Sequence, residues 1–132
     1  MKQVIFDTDY VTIWVYPQKR VIHHQFKKYT YGDKLREVLL KGLETLEKYK
    51  CYKWLSDDRV NSALPQIDKD WSIKTWGPMT AKAGWKHWAL ILPEKQIGKM
   101  YMRAVVEAYA SLGVNVELFS NPEAGLAWLE KQ

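Results

Sequence analysis

Apolar and polar residues alternate over the first thirty positions. Val4 and Phe6, then Val11, Ile13 and Val15, then Val21 are interleaved with polar partners, the period-two signature of half-buried strands. Asp7-Thr8-Asp9-Tyr10 punctuates the first gap and Pro17-Gln18-Lys19-Arg20 the second, so the pattern predicts three short antiparallel strands at about 3–8, 11–16 and 20–27. From Gly32 the period changes to three and four. Leu35, Leu39, Leu43 and Leu46, with Val38 and Gly42 beside them, predict a helix over about 33–50. Its exposed face carries Glu37 and Lys41, and Glu44 and Lys48, as ion pairs four apart.

Cys51 to Leu55 reads as a buried strand opening into the polar run Ser56-Asp57-Asp58-Arg59. Ile67, Trp71 and Thr75 space as a helix, broken or kinked near Gly77-Pro78, with Met79 and Ala83 resuming the face and Gly84 suited to its C-cap. On that spacing Trp71 belongs to the core and Trp76 is displaced toward solvent. Trp88-Ala89-Leu90-Ile91-Leu92 is apolar at consecutive positions, as in a central strand covered on both faces, and Pro93 ends it. Ile97, Tyr101, Ala104, Val105, Ala108 and Leu112 outline the next helix, closed by Gly113, and Val114, Val116 and Leu118 another strand. Ser120-Asn121-Pro122-Glu123 starts the last helix, which runs to about Glu130, through either a Ser/Glu capping box or an Asn cap with Pro first. The predicted order is β-β-β-α-β-α-β-α-β-α. Alternation in the second half predicts mostly parallel strands with right-handed crossovers: one α/β sandwich over residues 1–132, a mixed sheet with helices packed against it.

Composition narrows the class. In 132 residues, 47% are hydrophobic and 27% charged, so disorder and collagen-like order are excluded. Seven Trp, eight Tyr and three Phe can build a core without staples, and the single cysteine, Cys51, rules out an internal disulfide framework and a Cys-rich metal site. The net charge is +5, but its excess lies in short pairs such as Lys19-Arg20 and Lys27-Lys28. No run reaches the length of a nucleic-acid arm and no aromatic-basic motif accompanies it, so nucleic acid is not an expected partner. The segment Met-Lys-Gln-Val-Ile-Phe-Asp reads as neither a signal nor a transit peptide, and the apolar run Trp88 to Pro93 is far short of the ~20 residues of a membrane span. A cytoplasmic location is the expectation, with no membrane span.

The chain carries no Gly-x-Gly-x-x-Gly, no Walker loop and no Gly-x-Ser-x-Gly elbow, and no cofactor fingerprint. His23 and His24 are adjacent on a strand, so they point to opposite faces and cannot chelate one ion; His87 has no Cys or paired carboxylates placed near it. All three read as surface or half-buried rings, and no metal site is expected. Asp7 and Asp9 read as solvated turn carboxylates, and Cys51 as a small buried hydrophobe. With no nucleophile–base pair, an enzyme is not the expected class.

Two segments carry the functional expectation. The first is Ser56-Asp57-Asp58-Arg59-Val60-Asn61-Ser62-Ala63-Leu64, which follows the carboxyl end of a parallel strand and leads into a helix, where open α/β sheets place ligands and switches. Amides at that helix start would favour an anion, including a phosphoserine phosphate, while Ser56, Asp58, Asn61 and Ser62 also read as turn and capping residues. The second is Trp71, Trp76, Trp85 and Trp88, which either pack the core or line an apolar groove or partner surface.

Element order and loop together resemble the STAS domain, the sulfate-transporter and anti-sigma-factor-antagonist fold, among bacterial STAS/SEC14-like proteins. The resemblance rests on Trp54-Leu55-Ser56-Asp57-Asp58-Arg59, Asn61-Ser62-Ala63-Leu64, Lys82 to Ala89 with Pro93, and Phe119 to Ala124 through Trp128-Leu129. In anti-sigma-factor antagonists this loop carries Asp-Ser-Ser-Gly, whose second serine is phosphorylated. The resemblance puts Ser62 at that position, with Val60 in place of the Asp and Ala63 in place of the Gly. It implies a regulatory domain that docks a protein partner through the loop and the following helix, switched by phosphorylation. The alternative is a carrier or sensor of a small apolar or lipid-like ligand in the Trp-lined groove. A homodimer is left open by the sheet edge.

Overall fold

The computed structural model describes residues 1–132. Strands β1 (Gln3–Asp7), β2 (Val11–Tyr16) and β3 (Val21–Phe26) form an antiparallel meander. Helix α1 (Gly32–Tyr49) then crosses to β4 (Lys53–Asp57), which pairs with β3 in parallel. A helical run follows: α2 (Gln66–Trp71), a π-helical turn at Ser72–Trp76, and α3 (Gly77–Lys82). It leads to β5 (His87–Ile91); helix α4 (Met100–Ala110) leads to β6 (Asn115–Phe119), and α5 (Pro122–Glu130) ends the chain. All six strands lie in one sheet in sequential order, β3 to β6 parallel. The α/β class, the element order and the mixed sheet are as the pattern predicts.

Period-two alternation sorts the strands onto two faces. Val11, Ile13, Val15, Ile22, Phe26, Trp54, Trp88, Leu90 and Val116 join residues of α1, the π turn and α4 in the larger core. Leu55, Ala89 and Ile91 join Leu129 of α5 on the opposite face. The three crossovers between parallel strands thus share one face, as a common hand of connection requires, and α5 alone covers the other side of β4 to β6.

Three local departures from the periodicity have physical causes. Strand β4 begins at Lys53 because Lys50, at φ 54°, and Cys51, whose amide donates to Leu46 O at 2.9 Å, complete the end of α1; Ser56 and Asp57 are therefore strand, not loop. The helix, expected to be broken or kinked near Gly77-Pro78, runs unbroken through it. The Gly77 amide donates five residues back to Ser72 O, and this wide turn brings the helix to Pro78, which lacks an amide proton, without interruption. The buried face also differs from the predicted one: Ile67 is 69% exposed, Thr75 is exposed and Trp71 half-buried, whereas Trp76 is 3% exposed. Trp76 is core, the reverse of the expected assignment. Finally, α4 begins at Met100 and buries Met102 and Tyr109, so the predicted stripe through Tyr101 and Ala104 is turned away from the core.

Two glycines set the helix spacing. A Cβ at Gly42 would occupy the Trp54 ring, and one at Gly77 would stand 3.0 Å from a Tyr109 ring carbon. Asn121 caps α5, its side chain accepting from the Ala124 amide, with Pro122 at the first turn.

Candidate functional site

The polar chemistry of the larger core begins on β3. His24 pairs in register with Ser56 of β4, and both side chains point toward the helix-covered face. The Trp54 indole N–H donates to His24 Nδ1 at 3.0 Å, and an indole nitrogen can only donate. Nδ1 therefore carries no proton, and the Nε2–H tautomer assigned by this geometry donates to Asp58 Oδ1 at 2.8 Å. Next to it, the Trp88 indole donates to Ser56 Oγ at 2.8 Å. His24 is 2% exposed and Ser56 3%, so both belong to the interior, deeper than the surface or half-buried position expected for the histidine.

The loop after β4 is pinned at two points. Asn61 Oδ1 accepts from the Thr30 amide at 2.7 Å, and the Tyr29 hydroxyl donates to Ala63 O at 2.8 Å. Asp57, on the α5 face, takes Arg59 Nε at 2.9 Å and Nη2 at 2.7 Å, a bidentate pair that draws the guanidinium away from the other loop residues and raises its pKa. The six loop residues expected to act together are thus divided. Asp57 and Arg59 secure the strand end on one face; Ser56, Asp58, Asn61 and Ser62 converge on the other.

On that face a cavity of about 300 Å³ lies at the carboxyl ends of β4 and β5. Asp58, Asn61 and Ser62 form part of its lining, and Leu90, Ile73 and Val105 belong to its apolar walls. A chamber of about 70 Å³ shares Asp58, Asn61 and Trp88 with it and is lined further by His24, Ser56 and Trp76. Sequential strand order leaves no reversal of direction to open a crevice between strands. The opening lies instead between the π turn and α4, whose residues line it from two sides. Its size is at the lower end of ligand pockets, enough for a single-ring or short-chain molecule. Tyr109 lines both spaces, and burial pushes its hydroxyl up to about pKa 12, so it stays protonated.

The four tryptophans have separate roles. Trp88 lines both spaces and Trp76 the chamber, its indole donating to Leu39 O at 2.9 Å. Trp85 is 1% exposed and packs against Trp54, Trp76, Trp88 and Tyr109. Trp71 stands outside the cavity lining, under the Arg36 guanidinium, 5.1 Å from its ring centroid. No side chain caps the start of α2; its buried Asp68 instead accepts from the Gly32 amide, at the first turn of α1, at 3.0 Å.

Sequence reasoning missed His24, Ser72, Tyr109 and the α4 residues Met102 and Val105 as parts of one site. Among these His24 left a local signal, since one of two adjacent strand histidines must face the helices. Elsewhere, Asp7 and Asp9 pair with Lys27 and Lys28, each at 2.8 Å, and their pKa values are lowered by those hydrogen bonds. Cys51 is buried, its thiol pushed up to about pKa 11. No group of three or more His, Cys, Asp or Glu is arranged to hold a metal ion, and no helix is long and apolar enough to cross a membrane. Comparison with protein-family models, with curated proteins and with solved structures returned no match.

Proposed function

We propose that the protein binds a small, mostly apolar molecule in the cavity at the carboxyl ends of β4 and β5, as a carrier or sensor. The observation that carries this reading is the cavity itself: apolar walls from β5, the π turn and α4, with polar side chains from one loop among them. That division suits a ligand with an apolar body and a single polar head. No nucleophile beside a base accompanies it: Ser56 Oγ is engaged by Trp88, and His24 by Trp54 and Asp58.

Native mass spectrometry of the protein purified from its own host tests the reading. An apolar molecule released on denaturation, and absent from Ala104→Trp, supports it. Ala104 lines the cavity from the exposed side of α4, so the larger side chain fills the space without disturbing the core. A bare mass, together with no change in tryptophan emission across a panel of apolar metabolites, overturns it.

A second reading follows the resemblance to STAS domains: docking of a protein partner through the loop, switched by phosphorylation of Ser62. What supports it is that Ser62 is half-exposed beside the exposed Arg59 and Val60, whereas Ser56 is sealed. About two added negative charges at Ser62 would stand at the cavity and alter whatever docks there. In the same spectrum, a mass excess of one phosphate mapped to Ser62 favours this reading.

A further inference from the structure

Asp58 is the one acidic side chain lining the larger cavity. Oδ1 is held by His24, and because Trp54 occupies Nδ1 that ring is neutral and brings no compensating charge. No lysine or arginine pairs with the carboxylate, and its Oδ2 takes no protein donor and is not sealed from the cavity. The other charged lining residue, Lys69, holds its ammonium over the Tyr101 ring, 5.9 Å from the centroid; Tyr101 is 44% exposed, so this positive charge belongs to the mouth. The cavity thus combines apolar walls with one uncompensated negative charge fixed in place by a histidine. The hydroxyls of Ser62 and Ser72 line the same space, with Ser72 donating to Lys69 O and standing beside the Tyr109 hydroxyl.

We propose that the ligand is an amphiphilic amine, its ammonium seated on Asp58 and its apolar body against Leu90, Ile73 and Val105. An ammonium has three donors and no acceptor, which matches a site offering carboxylate and hydroxyl oxygens. An apolar surround makes that charge-assisted contact stronger than it would be in water. The proposal rests on the small-molecule reading above and names its head group.

The test is a set of titrations of the full chain with phenethylamine, phenethyl alcohol and phenylacetate, which share an aromatic body and differ in the head. Binding is followed by tryptophan emission and calorimetry in the wild type, Asp58→Asn and Ala104→Trp. The amine is expected to bind roughly ten- to a hundredfold more tightly than the alcohol, with that preference lost in Asp58→Asn. Equal binding of amine and alcohol to the wild type, abolished by Ala104→Trp, overturns the head-group assignment while leaving the cavity a binding site. Preference for phenylacetate overturns it in favour of Lys69, and an amine preference that survives Asp58→Asn overturns the role of Asp58. Absence of binding by all three, together with a bare native mass, overturns both proposals. Should Asp58→Asn fail to fold, the wild-type ranking of amine against alcohol decides, since it requires no substitution.

Discussion

His23 faces away from the cavity, where Trp14 and Tyr16 pack against its ring and the Tyr16 hydroxyl meets Nδ1 at 3.1 Å. Burial lowers its pKa from the usual 6.5 to about 3. An unfolded chain therefore binds a proton that the folded one refuses between those values. Stability is unaffected above pH 6.5, falls as the solution is acidified below it, and levels out near pH 3. The full effect is about 5 kcal/mol as an upper bound. Urea midpoints measured from pH 7 to pH 4 should decline in the wild type and decline distinctly less in His23→Gln; parallel curves would contradict the assignment. The adjacent His24 faces the helices, between the Trp54 indole and Asp58. Sequence placed the two rings on opposite faces correctly, since strand alternation is a local property. It missed that both are buried, because burial depends on which helix or side chain covers each face.

At the scale of elements, patterning was legible wherever one period ran uninterrupted. Helix α1 illustrates this: Leu35, Val38, Leu39, Gly42 and Leu46 are buried as expected, although Leu43 is only half-buried and Thr45 takes a place on the stripe. Of the exposed charges, Lys41 lies 3.8 Å from Glu44, and Glu37 accepts from the Tyr10 hydroxyl instead of pairing with Lys41. Gly42 offers a test of packing against propensity. Alanine favours a helix over glycine by about 1 kcal/mol, but here its Cβ would meet the Trp54 ring, and overpacking of that kind costs typically 1–3 kcal/mol. Gly42→Ala is expected to lower stability in denaturant unfolding, and a gain would show that the Trp54 ring moves freely. Patterning failed at Trp76 for a reason of the same scale. A five-residue turn adds one position to the helical count, so every residue after it changes face, and nothing in the local composition announces it.

For the molecule as a whole, sequential strand order puts three crossovers on one face and leaves the cavity where the π turn and α4 part above the ends of β4 and β5. Only the loop half of that site was readable beforehand. Asp58, Asn61 and Ser62 sit together in the chain, after a strand and before a helix, and that context marks them. Ile73, Leu90, Val105 and Tyr109 come from three other elements, and their meeting depends on strand pairing and helix placement that no short motif encodes. The apolar stripe on α4 contained the missing information in a misleading form. Tyr101 and Ala104, read as core, line the cavity instead, so apolar residues in excess of what the core buries were the trace of the site. The central claim is that this space, and no other surface, receives a small molecule. Amide and indole chemical-shift mapping by NMR during titration with phenethylamine tests it most directly. The account predicts saturable shifts at Ser62, Ile73, Val105 and the Trp88 indole, with Trp128 on the α5 face unmoved. Shifts centred on Trp128, or none that saturate, would contradict it.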